Sequence, residues 1–122
     1  MNRRTTGTRY EELAASYLAS HGAVVLERNF RSRSGEIDLI CRDGTCLVFA
    51  EVKYRASKRY GEAMEAVSAK KQRTIIRVAQ FYLLKHGYPS ETPVRFDVIA
   101  LDTQDNGEIR IQWLRDAFRL YP

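Results

Sequence analysis

No run of about 18 consecutive apolar residues occurs in the chain, so nothing in it reads as a membrane-spanning helix. The first residues, M-N-R-R-T-T-G-T-R, lead into an amphipathic stretch rather than a signal-peptide core, and the expected location is the cytoplasm. Cysteine is scarce. Cys41 and Cys46 are the whole stock, expected as reduced, small strand residues rather than as a disulfide in a reducing compartment. The two histidines, His21 and His86, lack a partner motif and fall at predicted helix ends, where capping a carbonyl suits them. Without a Cys or His cluster a zinc site is not indicated. No Gly-rich phosphate loop follows a strand, and there are no repeats or low-complexity segments. What remains is 122 residues, 44% of them hydrophobic, enough for one core and one domain spanning 1–122.

Charge is plentiful and unevenly placed. The net charge is +5, and residues 1–80 hold 15 Lys and Arg against 9 Asp and Glu, whereas residues 81–122 hold 5 against 6. A basic N-terminal two-thirds points toward a polyanion.

The chain is organised around residues 35–55, G-E-I-D-L-I-C-R-D-G-T-C-L-V-F-A-E-V-K-Y-R. Apolar and polar residues alternate on both arms, and Asp43-Gly44 is a two-residue turn signal. With Arg42 opposite Thr45, counting outward puts Asp38 opposite Phe49 and Glu36 opposite Glu51. Glu36, Asp38, Glu51 and Lys53 then share one face, and Ile37, Leu39, Val48, Ala50 and Val52 the other. Cys41 faces Cys46 on the side away from the acids. Opposed carboxylates with a third on the diagonal repel, and Lys53 offsets only one of the three charges. Such a patch is what a hard divalent cation takes, because Mg²⁺ prefers carboxylate and water oxygens. The plain alternative is a solvated strand face whose acids pair with neighbouring arginines.

Around this hairpin the periodicity predicts a helix over 8–20, with Thr8 as N-cap and Gly22 past its end. Leu13, Ala14, Tyr17 and Leu18 form its apolar stripe. Glu11 lies along that stripe and Glu12 faces solvent, although either acid would suit a helix N-terminus through the dipole. Residues 23–30 read as a strand, and the basic R-S-R-S-G stretch leads into the hairpin. Beyond it, Y-R-A-S-K-R-Y-G-E interleaves tyrosines with Arg55, Lys58 and Arg59, a composition that fits phosphate contacts and base stacking as well as a solvated connection. Ser68 caps a second predicted helix whose core face is Ile75, Ile76, Ala79, Tyr82 and Leu83. Gln72 lies one turn earlier on that face, while Lys70, Lys71 and Arg73 crowd the first turn, where free N–H groups favour anions. Residues 94–101 read as a central strand, I-R-I-Q-W-L as a last strand and R-D-A-F-R-L-Y-P as a tail.

A helix with an inward Glu, a strand Asp, Glu-x-Lys on the next strand and a basic helix together resemble the PD-(D/E)xK nuclease superfamily. More closely, G-E-I-D-L-I, F-A-E-V-K-Y-R, E-A-V with K-K-Q-R, R-F-D-V-I-A and a late A-F are similar to the YraN family. These are small bacterial proteins of predicted nuclease type, related to archaeal Holliday junction resolvases. The match runs in order through nearly the whole chain. Tyr10 stands where the family often has Gly before the helix-one Glu, and Ile37 where the superfamily has Pro before the Asp.

The resemblance implies an α/β fold with a restriction-endonuclease-like αβββαβ core, a mixed central sheet flanked by helices. It implies Mg²⁺ or Mn²⁺, with Asp38 and Glu51 as metal carboxylates and the Val52 backbone carbonyl as a further ligand. Glu11 would act through a water or a second metal. Lys53 would orient or help deprotonate the attacking water and stabilise charge on the phosphorane. Glu36 and Gln72 are weaker candidates, Glu36 at the edge of the site. The leading expectation is a metal-dependent endonuclease that hydrolyses DNA phosphodiesters, with structured or branched DNA included, and Arg55, Lys58, Arg59, Lys70, Lys71 and Arg73 contacting phosphates. The alternative is a non-cleaving nucleic-acid-binding module with a nuclease-like fold. A third possibility is a protein-interaction adaptor whose basic face meets an acidic partner. Paired incision of a four-way junction would require a homodimer, for which no segment marks an interface.

Overall fold

The computed structural model describes residues 3–55 and 67–119, with side chains for 9–54 and 67–119. The elements run α1 (Arg3–Ser20), β1 (Val24–Ser32), β2 (Gly35–Asp43), β3 (Cys46–Arg55), α2 (Ala69–Lys85), β4 (Val94–Thr103) and β5 (Ile109–Phe118). The five strands form one sheet in the order β1-β2-β3-β4-β5. β3 and β4 are parallel and every other neighbouring pair is antiparallel, so the sheet is mixed as expected. Among the described residues no helix is long and apolar enough to cross a membrane.

Strand alternation sorts the core into two layers. Leu39, Cys41, Val48, Ala50, Ile99, Leu101 and Trp113 pack with Ala14, Ala15 and Leu18 of α1. Ile40, Leu47, Phe49, Phe96 and Val98 point the other way and pack with Ile75, Ile76, Val78, Ala79 and Tyr82 of α2. The helices therefore cover opposite faces, an α/β sandwich. Ser68 caps α2 as its sequence position predicts, its hydroxyl accepting from the Lys71 N–H at 3.1 Å.

Several expectations need correction. α1 starts at Arg3, so Thr8 lies inside it and is not its N-cap. Residues 31–35 do not merely lead into the hairpin: Ser32↔Gly35 closes a turn of β1 onto β2. β5 continues through Phe118, taking in most of the predicted tail, because Phe118 pairs with Phe96 and buries its ring against it. The β2–β3 register is displaced by two residues. Asp43 pairs with Cys46 and Ile40 with Phe49, so the loop is Gly44-Thr45, with Gly44 at φ +63. Arg95 holds the Asp43 carboxylate at 2.9 Å, on the strand rather than in the turn. Consequently Cys41 pairs with Val48, not Cys46, and both thiols are free. Ile37 leaves the face of Leu39 and joins the α2-side layer with its β1 partner Phe30, just past the end of the β2–β3 ladder at Leu39↔Ala50.

Candidate active site

The site lies where that ladder ends. Continuing the register places Asp38, not Glu36, across from Glu51. There the Asp38 carboxylate, instead of a backbone carbonyl, accepts the Val52 N–H at 2.8 Å. This ties an acid side chain to the next strand and fixes its direction. Glu51 follows Leu47 and Phe49 on the α2 side of β3 and is only 4% exposed. Its Oε2 lies 3.6 Å from Lys53 Nζ and 3.7 Å from Lys71 Nζ. From the opposite helix, the α1 stripe that buries Ala14 and Leu18 carries Glu11 to the same place, while Glu12 stays exposed. Carboxylate oxygens of Glu11, Glu36 and Asp38 all lie within 4.8 Å of one another.

Asp38 is the shared member, touching the fields of Glu11 and Glu36 on one side and of Glu51 on the other. Burial, reinforced by the charge of Asp38, pushes the Glu51 carboxyl up to about 8; the Lys71 and Lys53 ammoniums offset this only in part. Glu11 is raised too, by desolvation first and then by Asp38, with the neighbouring Asn29 amide opposing the shift. Glu36 accepts from Arg31, its cross-strand partner, at 2.9 Å.

The donor set suits a hard divalent cation. Oxygens on one Ca²⁺-sized ion, at about 2.3–2.6 Å, lie no more than about 5 Å apart, a bound this trio meets. The shorter bonds of Mg²⁺, about 2.0–2.1 Å, require the carboxylates to draw closer together. The burial and neighbouring charge that raise Glu11 and Glu51 are also what a bound cation would offset. Glu11, Glu36 and Asp38 can share an ion, with Glu51 able to join through Asp38's other flank.

The structure thus brings Glu11, Asp38, Glu51 and Lys53 together and draws Glu36 further in than its edge position in the sequence suggested. Val52 contributes its N–H to the site. Gln72 donates its amide to the Val67 carbonyl at 3.0 Å, securing the entry to α2 as a core-edge amide. Lys70 and Arg73 are exposed on the first turn of α2. Lys58, Arg59 and the side chain of Arg55 lie outside the described residues. Sequence reasoning missed one contact and one neighbour. Lys71, expected among the phosphate-contacting residues, reaches Glu51; the signal for this was periodicity, since 71 heads the stripe continued by the buried Ile75, Val78 and Tyr82. Asn29 sits at φ +52, a conformation Asn tolerates better than most residues, and its strand context gave little hint of it.

The family model described as "Uncharacterised protein family UPF0102" matches residues 10–101. A UPF0102 protein of Aliivibrio salmonicida is 47% identical over 117 residues, covering 95% of this chain and 93% of that one. One from Nitrosococcus oceani is 44% identical over 117 residues (96% and 94% of the two chains). Another, from Lachnoclostridium phytofermentans, is 42% identical over 121 residues (99% and 98%). Among solved structures, Pyrococcus furiosus SfsA in complex with Ca²⁺ matches 93% of this chain and 64% of its own, at 14% identity and a TM-score of 0.35, a likeness too low to bear on function. The family match over most of the chain, with relatives that align nearly end to end, makes this protein a member of the UPF0102 family, the one that its G-E-I-D-L-I and F-A-E-V-K-Y-R runs resemble.

Proposed function

We propose that the protein is a divalent-metal-dependent endonuclease that hydrolyses DNA phosphodiesters, branched DNA among them. Its main support is the position of Asp38, between the Glu11 and Glu36 carboxylates and the buried Glu51, with two ammonium groups at the Glu51 oxygen. Asp38, Glu51 and Glu11 hold the ion, Mg²⁺ or Mn²⁺, with Glu36 and the Val52 carbonyl as further donors. When bound, such an ion polarises the phosphoryl oxygen and lowers the pKa of a nearby water. Asp38 is oriented in advance by the Val52 N–H, so no ordering cost falls on the moment of reaction. Lys53, 28% exposed and beside Glu51, orients the attacking water and balances charge that builds on the phosphoryl oxygens. Lys70 and Arg73 contact flanking phosphates, together with Arg55, Lys58 and Arg59.

The test is a cleavage screen of purified protein on single-stranded, duplex, flapped and four-way DNA with Mg²⁺ or Mn²⁺, paired with thermal melts. Wild type should melt higher as ion is added, by about 2.7 kcal/mol at roughly 100 times Kd. Metal-free Asp38→Asn should melt no lower than metal-free wild type, because it loses repulsion while the amide oxygen still accepts from Val52, and it should lose both the ion response and cleavage. Neutralising Lys70 and Arg73 should weaken DNA binding and flatten its salt dependence. An absent ion response, with Asp38→Asn melting well below wild type, would make the acids structural and favour the non-cleaving binding module.

A further inference from the structure

We propose that Lys71 is a second cation of the active centre, held on Glu51 when the site lacks an ion and turned to the substrate phosphate when an ion takes that carboxylate. This rests on the endonuclease reading and adds a residue to its site. Three observations carry it. Lys71 Nζ and Lys53 Nζ meet the same oxygen, Glu51 Oε2, at 3.7 and 3.6 Å, one from α2 and one from β3. Both distances exceed a hydrogen bond, so neither lysine is locked in place, and Lys71 remains 39% exposed. Its direction is set by the helix: position 71 heads the stripe of Ile75, Val78 and Tyr82, whereas Lys70 and Arg73, on the same turn, point to solvent. A lysine required only to dock α2 would be expected on a single partner with closer geometry.

The chemistry follows from charge. Among the described residues, four carboxylates, Glu11, Glu36, Asp38 and Glu51, and three cations, Lys53, Lys71 and Arg31, gather around Asp38. With all four acids ionised and a divalent cation bound, this set carries one net positive charge, and the ammonium groups on Glu51 then repel the ion that shares it. A phosphodiester carries the single negative charge that restores balance, and a flexible ammonium released from Glu51 is free to swing onto it. Lys53, the less exposed of the two, stays with the water, and Lys71, 39% exposed on the first turn of α2, is the better placed to meet the phosphate oxygens.

Reductive ¹³C-methylation keeps each lysine charged and puts an NMR reporter on its nitrogen. The Lys71 signal, assigned by its loss in Lys71→Arg, should shift when Mg²⁺ is added to wild type and stay in place in Glu51→Gln. It should shift again when a short duplex is added with Ca²⁺. Single-turnover cleavage by Lys71→Gln should fall by about 100-fold, with partial recovery in Lys71→Arg, while Arg77→Gln, an exposed charge on the same helix, should cut normally. A Lys71 signal indifferent to both Mg²⁺ and DNA would reduce it to a docking ion pair and overturn the proposal. A signal that responds in a protein that cuts none of the DNAs would leave Lys71 in a binding centre and remove only the cleavage reading.

Discussion

Glu51 is the residue on which the chemistry and the stability of this protein meet. Its carboxyl, ordinarily near 4.5, is pushed up to about 8 by burial and then by Asp38. Between those values the folded chain holds a proton that the unfolded chain has released. Stability therefore falls as pH rises through that window, since the folded state binds more protons there. The raised Glu11 acts in the same direction. Metal-free protein should melt several degrees lower at pH 8 than at pH 5, and Glu51→Gln should remove most of that slope; calorimetry across the range checks it. At this scale the sequence was legible where charge and periodicity agreed, as for Glu11 inward and Glu12 outward. It was not legible at Lys71, whose charge argues for solvent while its position on the stripe argues for the interior. Nor was it legible at Asp97, which is fully buried and takes donors from Arg95, the Trp113 indole and the Asp116 N–H. Those partners converge only after β4 and β5 have paired.

At the scale of elements, the strands and α2 could be read from their hydrophobic periods. The first helix, α1, could be read only over its apolar stripe from Leu13 to Leu18, so that its start was misplaced, and the hairpin register could not be read. A slip of two residues returns every side chain to the same face, so alternation alone does not distinguish one register from the other. Turn geometry and the grip of Arg95 on Asp43 decide it. The same guanidinium holds Asp97 and so links the β2–β3 turn to β4, while Asp97 in turn fixes the bulged end of β5 through Asp116 at φ +57. Asp97→Ala would leave Arg95 with Asp43 alone and the Trp113 N–H without its acceptor, and should cost about 3 kcal/mol or more in urea unfolding. A second joint sits at the other hairpin. Gly35 has φ +150, and a Cβ there would lie 2.6 Å from Thr74 Cγ2 of α2. Gly35→Ala should therefore destabilise by about 2 kcal/mol through strain and crowding. Adding Thr74→Ser should recover the crowding part and leave the backbone part, a partition that a double-mutant cycle measures.

In the whole molecule the candidate site draws on α1, β2, β3 and α2, and the sheet between the two helices has one parallel pair, β3 with β4. Every partner in that ladder is 47 positions from its mate, whereas Asp43↔Cys46 and Ser32↔Gly35 close hairpins over neighbouring residues. Contacts of such different span form at different times, because the longer loop pays its closure entropy before it gains anything. The β1–β2–β3 meander, carrying Glu36, Asp38, Glu51 and Lys53, is expected to assemble early, and α2 to dock as the long crossover closes. Val48→Ala should then slow refolding, while Ile75→Ala should chiefly speed unfolding, a contrast that stopped-flow chevrons would resolve. On that route the acids gather before Lys71 arrives, and the nascent protein passes through a stage in which its most crowded charges await their last counterion.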